Sequence, residues 1–272
     1  MKNISRILAV CNDFEKCDLL LKKCAKISEE HDCGVTLMFV KEEELFELPF
    51  FSDDDVSDHK KLRKELLKKA KNKGIDNLAV LIYENDTADR AALEAEKEND
   101  SLIIMPYTEK ITDKVIRKCN VPTLILKDTV PEYARAVVVV DTIVTGKCMD
   151  FLHTLFSGTE ISLLQDFSYF PMPVSDTGVD PFGIGTDGID YLEFLKSQKK
   201  AFYEFRQENG VNGAFIVGEN SIEDNIVSFV KQKQADLLSI NVAQRGTILA
   251  DAIDEIILKS SGDVFVCFEN SL

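Results

Sequence analysis

The chain has 272 residues, of which 45% are hydrophobic and 29% charged, and its formal net charge is −15. That length suits one large domain or two ordinary ones, and the composition excludes wholesale disorder. The acidic balance repels nucleic-acid phosphates and anionic lipid, so neither is an expected partner; the short clusters Lys60-Lys61, Lys68-Lys69 and Lys199-Lys200 lie at helical spacing beside glutamates and read as solvated faces.

In chain order, Ile4–Val10 is an apolar, strand-sized run. It lacks the length and the small-residue cleavage site of a signal peptide, and no stretch reaches the ~18–20 apolar residues of a membrane span, so a cytoplasmic protein is expected. Phe14–Glu30 has apolar residues at 14, 17, 20, 21, 24 and 27, a period near 3.6 that predicts an amphipathic helix stopped by Gly34. Val35–Val40 is a continuous apolar run, as a strand buried on both faces should be. Leu62–Lys73 reads as a helix ending at Gly74, and Leu78–Tyr83 as a third strand. Asp86 is placed to cap the alanine-rich helix Ala88–Glu98. Ser101–Met105 is a fourth strand, Thr108 opens a short helix to Lys118, and Val121–Leu126 is a fifth strand.

The second half repeats this order. Ala136–Val140, Thr145–Ser157 and Glu160–Leu164 read as strand, helix, strand; helix Tyr191–Glu208, strand Ala214–Val217, helix Ser221–Lys233, strand Asp236–Ile240, helix Ile248–Lys259 and strand Val264–Phe268 follow. Ser221 with Asp224 resembles a capping box. The segment from Asn77 to Asn85 aligns without gaps to that from Asn212 to Asn220, an offset of half the chain. The expected fold class is therefore α/β: two tandem, open-twisted, five-stranded parallel sheets with helices on both faces, Rossmann-like, occupying 1–130 and 131–272 on either side of the charged, Pro131-containing linker Asp128–Arg135.

The cysteines Cys11, Cys17, Cys24, Cys33, Cys119, Cys148 and Cys267 form no Cys-x-x-Cys pair. Cys17, Cys24, His31 and Cys33 are the one cluster that raises a metal, but their spacing is unlike a zinc site; reduced, non-catalytic thiols are expected.

Three features carry a family resemblance. Ile7-Leu8-Ala9-Val10-Cys11-Asn12 and Val137-Val138-Val139-Val140-Asp141 look like an opening strand of a kind that usually ends in an aspartate; Leu102–Met105 and Leu237–Ile240 look like a fourth strand; and Cys119-Asn120-Val121-Pro122-Thr123-Leu124-Ile125-Leu126 looks like a closing X-Pro strand. In these the chain resembles a tandem universal stress protein, over essentially its whole length. The resemblance implies a stress-response or regulatory role, with the two copies packed as an intramolecular pseudo-dimer and a homo-oligomer or protein partner possible beyond it. Nucleotide-binding members carry Gly-x-x-Gly, then nine residues, then Gly-Ser or Gly-Thr after the fourth strand. Glycines there let the backbone approach phosphate at a helix N-terminus.

This chain departs from that pattern twice. After Met105 come Pro106-Tyr107-Thr108-Glu109-Lys110-Ile111, with no glycine, one donor removed by proline and a negative charge where phosphate would sit. After Ile240 come Asn241-Val242-Ala243-Gln244-Arg245-Gly246-Thr247, which keep one glycine. Two readings of that loop stand side by side: a loop glycine with an N-cap threonine, or a one-point anion site of Arg245, Gly246 and Thr247 with Asp141 near a ribose. Gly183-x-Gly185-x-x-Gly188 follows Pro181-Phe182 rather than a strand, so it is not a dinucleotide fingerprint.

The connections 41–59 and 166–190 are long and aromatic, and suit either an interface or a lid over the cleft; Asp53-Asp54-Asp55 reads as a solvated turn. No triad, Gly-x-Ser-x-Gly or Walker loop is present. The expectation is a non-enzymatic protein with no resident cofactor. Its alternatives are an ATP- or AMP-binding protein using the second copy alone, and a nucleotide-hydrolysing enzyme.

Overall fold

The computed structural model describes residues 4–42, 55–97, 101–127, 132–140, 146–167, 191–218, 220–243 and 245–269. The first half runs β1 (Arg6–Cys11), α1 (Cys17–His31), β2 (Gly34–Lys41), α2 (Asp55–Asn72), β3 (Leu78–Glu84), α3 (Thr87–Ala95), β4 (Ser101–Pro106), α4 (Ile111–Lys118) and β5 (Thr123–Leu126). The second runs β6 (Arg135–Val140), α5 (Lys147–Leu155), β7 (Glu160–Asp166), α6 (Tyr191–Glu208), β8 (Asn212–Ile216), α7 (Ile222–Lys233), β9 (Leu237–Val242), α8 (Ile248–Lys259) and β10 (Asp263–Phe268).

The strands lie in the order β3-β2-β1-β4-β5-β10-β9-β6-β7-β8. Within each half all pairings are parallel, as strand–helix–strand crossovers require. The two sheets expected from the sequence are in fact one ten-stranded sheet. β5 and β10 pair antiparallel, with Val264 opposite Ile125 and Val266 opposite Thr123. An open, largely apolar edge strand leaves backbone donors and acceptors unpaired, and pairing the two edges removes both liabilities. The expected alternation of strands and helices in both halves is otherwise present.

Pleating sends alternate residues to opposite faces. Ile7, Ala9 and Cys11 join one core, with α1, α2, α5 and α6 over it. Leu8 and Val10 join the other, under α3, α4, α7 and α8. Both cores run across the seam, so each half is covered on both faces.

Several local expectations change. α2 begins at Asp55 rather than Leu62, because its first turns carry no apolar period. α1 ends not at Gly34 but at Asp32, which takes the left-handed conformation (φ 50°) while Gly34 opens β2. Asp86 is left-handed as well and caps nothing. The N-terminus of α3 is capped from a distance by Glu42, whose carboxylate accepts from the Thr87 N–H (3.0 Å) and hydroxyl. Ser221 does cap α7, accepting from the Asp224 N–H at 3.3 Å. The thiols are not all reduced: Cys148 of α5 and Cys267 of β10 form a disulfide. They lie 119 residues apart, so local spacing carries no trace of the pairing.

Candidate functional site

In open α/β sheets ligands bind beyond the carboxyl ends of the strands. In the first half that place is bounded by the turn after β1 and by the segment from β4 to α4. The Tyr107 N–H donates to Leu126 O (2.8 Å), the Thr108 N–H to Thr112 Oγ1 (2.9 Å) and the Ile111 N–H to Glu109 O (2.8 Å), which closes a tight turn around Lys110 at φ 67°. Thr108 Oγ1 donates to Asn12 Oδ1 at 3.3 Å, and Lys16 Nζ to Tyr107 O at 3.1 Å. The N–H groups of Tyr107, Thr108 and Ile111 thus point at the protein's own acceptors.

The corresponding place in the second half is built differently. Gly246 has φ +82°, a left-handed conformation that favours glycine, and open space surrounds the position its Cβ would take. Thr247 is the N-cap of α8, its hydroxyl accepting from the Ala250 N–H at 3.2 Å. Arg245 reaches across the seam. Its Nη2 donates to Cys119 O (2.7 Å), Ile116 O (3.0 Å) and Asn120 Oδ1 (3.1 Å), and its guanidinium lies 4.4 Å from the centroid of the Phe268 ring. The side chain offered by the sequence as a phosphate cation thus caps the C-terminus of α4 in the first half, where carbonyls and the helix dipole favour a cation. Asp141 lies outside the described residues, as do most of the two long connections (43–54 and 168–190).

Sequence reasoning missed Asn241, at the end of β9 beside this loop. It is 5% exposed, its Oδ1 accepts from the Ser239 hydroxyl at 2.8 Å, and its buried Nδ2 has no acceptor among the described residues. An amide donor stranded in this way costs free energy unless a water or ligand oxygen meets it. An asparagine at the end of a strand whose other positions but Ser239 are apolar was the available signal.

A cavity of about 440 Å³ lies elsewhere, between the halves at the amino ends of β6 and β7. Lys23, Lys26, Glu30 and Tyr133 line it. Lys23 is buried with its Nζ 4.0 Å from the Tyr133 ring centroid, and burial lowers its ammonium pKa to about 8 against the pull of Asp263. The Tyr133 hydroxyl donates to Asp263 Oδ2 (2.6 Å), and Asp263 Oδ1 accepts from the Lys127 N–H (2.7 Å). For the second half this is the amino end of the strands, opposite to its ligand-binding end, and its charges tie the seam together.

No protein-family model matches the chain, and no curated protein matches it. Solved structures do. A universal stress protein from Archaeoglobus fulgidus aligns over 96% of this chain and 96% of its own, with a TM-score of 0.64 and 16% identity. A functionally unknown protein from Pseudomonas aeruginosa aligns over 97% of this chain and 92% of its own, with a TM-score of 0.62 and 16% identity. A provisionally assigned universal stress protein, also from Pseudomonas aeruginosa, aligns over 97% and 93% with a TM-score of 0.61. At this identity the likeness establishes the fold, which is that of universal stress proteins. Among the described residues no helix is long and apolar enough to cross a membrane.

Proposed function

We propose that this chain uses the universal-stress-protein fold as a non-enzymatic stress-response or regulatory protein whose nucleotide loops have been turned to holding the molecule together. One observation carries the reading: Arg245, the best-placed cation of the second-half loop, donates to Ile116 O, Cys119 O and Asn120 Oδ1 of the first half. Releasing it toward a phosphate would uncap α4. In the first half Pro106 lacks an N–H, and those of Tyr107, Thr108 and Ile111 are satisfied internally. A protein of this kind acts by presenting surfaces to partners rather than by turnover.

A second reading is supported by the stranded Nδ2 of Asn241 together with the open backbone at Gly246. There ATP or AMP would meet Asn241, Gly246 and Thr247, with Asp141 toward the ribose. Thermal unfolding of the full chain with millimolar ATP or AMP and Mg²⁺ separates the two. A ligand that binds the native state alone stabilises it, by roughly 2.7 kcal/mol at a hundredfold excess over Kd, and so raises the midpoint. No shift and no phosphate release are expected. A shift abolished by Gly246→Val with Arg245→Ala would establish the second reading, and turnover would make the protein an enzyme.

A further inference from the structure

The five cysteines outside the disulfide are all buried, yet two of them stand apart. Cys11 ends β1 and Cys17 begins α1, and their Sγ atoms lie 2.9 Å apart. Asp13 O faces both sulfurs, at 2.9 Å from Cys11 and 3.4 Å from Cys17. The two sulfurs need approach by less than about 1 Å to reach disulfide bonding distance, about 2.05 Å. Between them run only residues 12–16, of which Asn12, Asp13 and Phe14 are half-buried and Glu15 and Lys16 exposed. The turn that joins the pair is thus partly open to water, although both cysteines are buried. From the juxtaposition of these two sulfurs under that short turn, we infer that Cys11 and Cys17 form a peroxide-reactive dithiol that cycles to an intramolecular disulfide.

The surroundings assign the roles. The hydrogen bond from Cys17 holds the Cys11 thiol below its ordinary pKa, with the Asp13 backbone contact and the Lys16 charge acting in the same direction; burial opposes them. Cys17 is correspondingly pushed up, first by that bond and then by burial. Cys24 and Cys33 are pushed up by burial, and Cys119 is pushed up to about 12 by the same cause. Cys11 is the one free thiol whose pKa is lowered rather than raised, and thiolate is the nucleophile.

The thiolate attacks one oxygen of a hydroperoxide and breaks the O–O bond. Cys11 becomes a sulfenic acid, and the departing oxygen takes a proton and leaves as water, or as an alcohol from an organic hydroperoxide. Cys17 then attacks the Cys11 sulfur, the S–O bond breaks, and a second water leaves with the Cys17 proton. Two electrons pass from the two thiols to one peroxide, and a dithiol reductant returns the pair to its starting state. A water-sized oxidant suits a pair this enclosed. Because Asn12 accepts from Thr108 and Lys16 donates to Tyr107, strain on the 12–16 turn reaches the segment after β4.

The test uses the full chain, reduced with dithiothreitol, desalted, exposed to hydrogen peroxide, then acid-quenched, alkylated in denaturant and mapped by mass spectrometry. The expected result is loss of alkylation at Cys11 and Cys17, a Cys11–Cys17 link lighter by two hydrogens, one peroxide consumed per link, and reversal by dithiothreitol, while Cys24, Cys33 and Cys119 remain alkylatable. Full alkylation of Cys11 and Cys17 after peroxide would overturn the proposal, and so would a link from Cys11 to Cys24 or Cys33. Cys17→Ser should leave Cys11 as a dimedone-trappable sulfenic acid that passes on to sulfinic acid. Should that variant fail to fold, the map of the unsubstituted chain decides alone.

Discussion

Arg245 and Lys127 do the same work at the two ends of the seam. Arg245 leaves the loop before α8, rests on Phe268 of its own half and caps α4 of the other. Lys127 follows β5, lies 4.8 Å from the ring centroid of Tyr107 in its own half, and donates from Nζ to Ile257 O, Leu258 O and Ser260 O at the C-terminus of α8. Each helix that abuts the seam ends in carbonyls without intrahelical partners, and each end draws a cation from across it. The requirement is shared, but the solutions differ: a planar fork from one loop, a flexible ammonium from another. The Lys127 end has a further support, since its backbone N–H is held by the buried Asp263 carboxylate. The two cations that cross the seam are thus each placed by a helix end rather than by any repeated residue.

The largest effect is expected from Asp263→Ala, which should break the Lys127 end alone. It strands the Lys127 N–H and the buried Tyr133 hydroxyl and leaves Lys23 beside a vanished charge. Urea unfolding should show a loss of about 4 kcal/mol with little change in slope. A loss below about 1 kcal/mol would mean that the two ends are supported alike.

Next in size are Arg245→Ala and Lys127→Met, each expected to cost about 2 kcal/mol through charge-assisted bonds to helix carbonyls. The two cations share no partner, so the double variant should be additive within about 0.5 kcal/mol. A coupling above about 1 kcal/mol would make the two ends one cooperative device.

The smallest effect concerns pH. Lys23 has its folded pKa lowered to about 8, below the ~10.4 of an unfolded lysine. Between those values the unfolded chain holds a proton that the folded chain has released, so Lys23 contributes stability that rises with pH through that window. Desolvation is the largest cause; Asp263 and Glu30 oppose it, and Lys26 and Lys22 reinforce it. The full shift corresponds to about 3 kcal/mol, but cavity water screens the site, so about 1 kcal/mol is expected. Denaturation midpoints of Lys23→Met against the unsubstituted chain from pH 8 to about 10.4 measure it. Parallel profiles would show that Lys23 titrates as an ordinary lysine.

Strand and helix identities were legible because periodicity is a local property: the run Val137–Val140 can hardly be anything but a buried strand. What escaped the sequence was set by surfaces meeting over long separations. Glu42 reaches Thr87, Arg245 reaches Cys119, and Cys148 reaches Cys267, each across a span in which spacing has no meaning. The merged sheet did leave a trace. β5 (Thr-Leu-Ile-Leu) and β10 (Asp-Val-Phe-Val-Cys-Phe) carry continuous apolar runs with no charge inside them, which suit a paired strand better than an exposed edge. For the candidate site, Thr247 as an N-cap and Gly246 as a left-handed turn were readable from type and position, whereas the stranded amide of Asn241 depends on what neighbouring chains leave unoffered.

The seam closes within one polypeptide, since β6 begins at Arg135 shortly after β5 ends at Leu126. A partner tethered that closely is present at about millimolar effective concentration, so dilution cannot part the two sides. In an assembly of two identical separate chains, a twofold axis would impose every substitution on both ends at once. Here each end has its own codon. One could become an arginine on a phenylalanine and the other a lysine on a tyrosine, and a change that improved one helix cap could be accepted without being tolerable at the other. Continuity of one chain across the seam lets this protein be asymmetric where it touches itself.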